Sequence, residues 1–179
     1  RILSAAPLDA VIVEQIFADR IETVRHLRFD PATGTVAAIR ERRLGAIRLS
    51  SGPDQDATPA EIESALLEGV RAHGLDRLPW PAAAQAFRSR AAFAGADLSD
   101  SVLLDRLDDW LPPVLAGKRR LGAIEPGALM QALETLVGWD AGRQIEALAP
   151  AQFVTPAGSA HPIDYGAEAG PAVELRVQA

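Results

Sequence analysis

The stretch ETVRHLRFDPATGTVAAIRERRLGAIRLS, residues 22–50, decides how the rest of the chain is read. Leu27 and Phe29 alternate with His26 and Arg28, and Ile47 and Leu49 flank Arg48, which is the two-residue period of half-buried strands. Between the first two strands, DPATG sets Pro31, which fixes φ, before Gly34, which tolerates positive φ; a hairpin with a bulged turn is expected. Gly45 in RRLG marks a bend or the start of a further strand. Upstream, RILSA reads as a strand, and Asp9 can cap a short helix with Ile12, Ile16 and Phe17 on one face.

Downstream the period changes. Residues 49–59, LSSGPDQDATP, form a polar connector, and Thr58-Pro59-Ala60-Glu61 fits a capping box with proline at the first helical position. Ile62, Ala65, Leu66 and Val70 follow at helical spacing, with Gly74 as a stop. PWP at 79–81 breaks the chain before a second helix that ends near Phe93. Ser99 can cap a third, carrying Leu103, Leu107, Trp110 and Leu111 to Pro112-Pro113. Pro126 opens a fourth through Leu129, Leu133 and Leu136 to Trp139. The three tryptophans, all in this block, are expected as core anchors.

After Ala149, QFVTP, AHPIDY and AVELRVQ read as three short strands. Such a sheet alone is marginal. The expectation is therefore an α+β fold: a β assembly built from both chain ends (1–52 and 150–179) around an inserted helical block (53–149).

The 179 residues suffice for one domain or two small ones, with 48% hydrophobic and 23% charged residues. No apolar run approaches the roughly 18 residues of a membrane span, and the first residues do not form a secretory signal. The sequence starts at Arg1 rather than Met, which fits a piece of a longer protein. Cysteine is absent, which suits a cytoplasmic setting. The net charge of −6 is uneven: residues 1–52 carry eight arginines against six acids, whereas residues 53–149 carry nine bases against fifteen acids. Any contact with a polyanion is expected in the first segment.

There is no phosphate-cradling glycine loop, no HExxH and no Cys/His pattern, so no catalytic, cofactor or metal site is expected. Ser159, His161 and Asp164 suggest a triad, but Asp164 differs in strand parity, and no GxSxG elbow exposes the serine. The acids of DRLDDW, residues 105–110, read as a solvated helix face. Two basic clusters remain as candidates for nucleic-acid phosphates: Arg40, Arg42 and Arg43 on a strand, and Lys118, Arg119 and Arg120 in a loop.

AAPLD, DPATGTV, RRLGAIRL, ALLEGVRAHGLDRLPW, LSDSVLLDRLDDWLPPVLAG and the closing LAPAQFVTPAGSAHPIDY occur in one order along the chain. In that order and spacing they resemble the C-terminal region of bacterial HrpB-type helicases, of the DEAH/DExH group. Pro156, Gly158, Ser159, Asp164 and Tyr165 match the family's closing motif, while Ala151 and Gln152 stand where it usually has Thr-His. The resemblance implies an RNA helicase whose motor lobes, with ATP and magnesium, lie upstream. It implies that residues 1–52 belong to an oligonucleotide-binding (OB-like) β region, begun mid-domain, and that the fragment is a non-catalytic accessory. RNA or another single strand is the implied partner; the alternative is a module docking on the helicase core or a partner protein through the helical block.

Overall fold

The computed structural model describes residues 9–175. The Asp9 carboxylate accepts the Val11 N–H at 2.8 Å and so starts α1 (Ala10–Ile16). A meander follows: β1 (Ile21–Asp30), β2 (Thr35–Leu44) and β3 (Ile47–Pro53) form one antiparallel sheet in that order. Its first turn forms where expected, although the β1–β2 register runs through to Asp30 and Thr35 without a bulge. Asp30 accepts the Ala32 N–H at 2.9 Å and the Thr33 hydroxyl at 2.8 Å, and Gly34 takes φ 63°. Gly45, at φ 58°, turns β2 into β3.

Residues paired across strands share a face. Arg25, Leu27 and Phe29 lie opposite Arg40, Ala38 and Val36 on the inner face; His26 and Arg28 lie opposite Ile39 and Ala37 on the outer one. The inner face packs on α2 (Pro59–His73). That helix carries the expected capping box: Glu61 N–H donates to the Thr58 hydroxyl, and Thr58 N–H donates to the Glu61 carboxylate at 2.7 Å.

The helical block continues with α3 (Ala82–Phe93), α4 (Asp100–Asp105), α5 (Leu107–Trp110), α6 (Pro112–Leu115), α7 (Ala128–Val137) and α8 (Trp139–Leu148). Leu66, Leu103, Leu107, Leu111, Leu115 and Leu133 are fully buried at its centre. The expected third helix is broken at Arg106. Trp110 turns its indole N–H onto the Leu103 carbonyl at 2.9 Å, an insertion into the backbone ladder that kinks a helix. The expected fourth helix forms as α7, which Gly138 ends at φ 79°, and a further helix, α8, follows it. Trp80 and Trp110 anchor the core, their rings 6.0 Å apart. Trp139, expected there too, is instead 78% exposed at the start of α8.

At the C-terminal end, β4 (Gln152–Val154) and β5 (Ala160–Pro162) form a two-stranded hairpin of their own. The third expected strand reduces to one bridge between Asp164 and Ala172; part of AVELRVQ lies outside the described residues. The sheet expected from both chain ends is therefore not formed, and no closed OB-like barrel is present among the described residues. Two contacts explain this. Arg90 on α3 donates to the Ala149 carbonyl at 2.7 Å, and Tyr165 packs against Phe93 at a tilt with rings 5.1 Å apart, holding the hairpin over the helical block. The edge of β2 near its start is taken by residues 119–121: Thr35 bridges Arg120, and Leu121 N–H donates to the Gly34 carbonyl at 2.8 Å.

Candidate nucleic-acid interface

The strand register sorts the candidate arginines. Arg40 and Arg42 lie on the inner face of the sheet, whereas Arg43 lies on the outer face, as a period of two requires. RERR is thus not one patch.

The inner-face arginines are committed to the fold. Asp54, with a side chain 0% exposed, accepts Arg25 Nε at 2.6 Å and lies 3.4 Å from Arg40. Arg25 also forks onto both oxygens of Glu61 at 3.1 Å. Arg40 pairs with Asp56 as well, and Arg42 reaches Glu14 on α1 at 2.8 Å. The Arg25 hydrogen bond holds the Asp54 carboxyl below its usual range against the opposing effect of burial. Glu61 is held low by the Thr58 N–H first and by Arg25 second.

The outer face differs in kind. On it stand Glu22, Val24, His26, Arg28, Ile39, Glu41, Arg43 and, across from Arg43, Arg48. Its carboxylate contacts are loose. Glu41 lies 3.5 Å from Arg48, 3.7 Å from His26 and 3.9 Å from Arg43. Arg43 Nε is buried without an acceptor. Arg28 has no carboxylate partner among the described residues, and His26, Arg28 and Arg48 are exposed.

The loop cluster joins this face. Because Arg120 bridges Thr35, it extends the sheet beyond β2 at the same end as Arg28. Arg119 and Arg120 are exposed and have no carboxylate partner among the described residues, whereas Lys118 lies 3.7 Å from Glu125. The structure thus brings Arg120 and Arg43 to one face of the sheet and leaves Arg40 and Arg42 on the other. Sequence reasoning missed Arg28 and Arg48, although each alternates with apolar residues and so announces its face.

The residues of the closing motif build a hairpin. Thr155 N–H donates to the Ser159 carbonyl and Ser159 N–H to the Thr155 hydroxyl, Gly158 takes φ 84°, Tyr165 donates its hydroxyl to the Pro150 carbonyl at 2.9 Å, and Asp164 accepts the Gly166 N–H. Pro156 sits in the turn. Among the described residues no group of three or more His, Asp or Glu is placed to hold a metal ion, and no helix is long and apolar enough to cross a membrane.

A family profile described as "ATP-dependent helicase C-terminal" matches residues 110–179. The ATP-dependent RNA helicase HrpB of Escherichia coli (strain K12) is 29% identical over 186 aligned residues, which cover 99% of this chain and 23% of that protein. A crystal structure of the E. coli DEAH/RHA helicase HrpB superposes with a TM-score of 0.64 at 28% identity, over 88% of this chain and 21% of the other. A crystal structure of the E. coli DExH-box NTPase HrpB gives 0.63 at 27% identity, over 95% and 22%. The chain spans less than a quarter of the length of these relatives, and along nearly its whole length it is similar to the C-terminal region of HrpB helicases.

Proposed function

From that likeness, we propose that the chain is a non-catalytic accessory of an ATP-dependent RNA helicase, and that the outer face of its sheet meets single-stranded RNA. Binding and hydrolysis of ATP with magnesium belong, on this reading, to motor lobes outside these residues, in a cytoplasmic protein. The observation that carries the reading is the contrast between the two faces. On the inner face Arg25 and Arg42 are locked at 2.6–3.1 Å by Asp54, Glu61 and Glu14 and Arg40 pairs with Asp56, while among the described residues Arg28 and Arg120 form no ion pair and Arg43 and Arg48 touch one carboxylate only loosely. Guanidinium groups not spent on the fold can meet phosphate oxygens.

Titration of a labelled single-stranded RNA across a salt series tests this. Replacing Arg28, Arg43, Arg48 and Arg120 by alanine should abolish binding and flatten the salt dependence. Absence of binding by the unaltered chain at low salt, or binding unaffected by the four substitutions, rejects it.

A second reading, docking of the helical block on the helicase core of the same polypeptide, is favoured by Trp139. This exposed ring borders a hollow of about 750 Å³ with Phe87, Met130 and Arg143. Pull-down of the separately expressed motor region by this chain, lost on Trp139→Ala, is the expected result.

A further inference from the structure

Glu41 stands among the basic side chains of the outer face. Its side chain is only 14% exposed, yet none of its three basic neighbours, Arg48, His26 and Arg43, approaches closer than 3.5 Å. The Arg48 contact is at the outer limit of a hydrogen bond, and those from His26 and Arg43 are beyond it. By comparison Asp54, on the other face, draws Arg25 to 2.6 Å. Glu41 therefore attracts two guanidinium groups without satisfying them, and Arg43 Nε is left with no acceptor.

We propose that Glu41 is a resident competitor for the anion-binding groups of this face, lowering its affinity for RNA; the inference rests on the nucleic-acid reading above. A phosphate that engages Arg43 or Arg48 must draw the guanidinium from the carboxylate and then sit beside a negative charge. Both effects oppose binding, and both are electrostatic. The neighbouring Glu22 lies across from Arg43 in the strand register but forms no ion pair within 4 Å among the described residues, so it exerts only the second effect. The face thus holds a strand weakly enough to release it, as an accessory to a moving motor requires.

The test is the affinity of the 179-residue chain for a labelled oligouridylate. Glu41→Gln should tighten binding by roughly three- to fivefold and steepen the dependence of log K on log salt by about 0.7, the worth of one more neutralised phosphate on a single strand. Glu22→Gln should tighten it by less than about twofold. In an Arg43→Gln/Arg48→Gln background, Glu41→Gln should give no more than the Glu22 effect. Unchanged or weaker binding by Glu41→Gln, or an equal gain from Glu22→Gln, overturns the proposal while leaving the RNA reading intact. No binding by the unaltered chain or by Glu41→Gln overturns both. Should Glu41→Gln melt early, Glu41→Ala read against the same double background decides between them.

Discussion

Gly69 on α2 lies against the ring of Phe29 on β1 so closely that a Cβ built on the glycine would fall 2.3 Å from Phe29 Cγ. No side chain fits there without moving the sheet off the helix. Gly69→Ala should destabilise the fold by about 1–3 kcal/mol, an overpacking cost, and lower the melting temperature accordingly. Adding Phe29→Leu should recover part of the loss. A Gly69→Ala chain as stable as the parent would show that the two elements separate easily.

The buried carboxylate of Asp54 makes the second prediction one of pH. Its pKa is lowered in the fold, chiefly by Arg25, so its contribution is present above the unfolded value of about 4 and is lost as pH falls through the folded one. Asp54→Asn should therefore melt below the parent at neutral pH, with the gap closing on acidification below about pH 4. A gap that stays constant from neutral to acid pH would mean that the charge of Asp54 does not contribute.

The tryptophans should separate cleanly. Trp110, 3% exposed and hydrogen-bonded to Leu103, should cost about 3–5 kcal/mol on truncation to alanine. Trp139, 78% exposed, should cost less than about 0.5 kcal/mol. Denaturant titrations of the two variants measure both.

Gly34 makes the fourth. At φ 63°, with Leu121 Cβ 3.3 Å from where its own Cβ would stand, Gly34→Ala should cost at least about 1–2 kcal/mol in urea unfolding.

The hairpin, the α2 capping box and the start and end of α3 were legible because each rests on short-range chemistry: Asp30 with Gly34, Thr58 with Glu61, and the prolines before Ala82. The break at Arg106 was not, since it depends on an indole reaching back to a carbonyl, nor was α8, which begins at Trp139 where the fourth helix was expected to end. The separation of the terminal sheets escaped for a similar reason. Nothing local in residues 118–121 says that they complete an edge of β2. The interface was half legible: alternation places Arg28, Arg43 and Arg48, but which face is covered, and which carboxylates reach it, follows only from α1, α2 and the Asp54 loop.

The bridge between Thr35 and Arg120 bears on how the chain can be divided. A cut after the meander, where the composition changes, would strip β2 of the partner that shields its amides near Thr35. The liberated sheet would present a bare edge beside its turn, the kind of surface on which strands of separate molecules add to one another. An isolated amino-terminal piece should thus self-associate, whereas the same residues joined to the helices keep that edge closed from within.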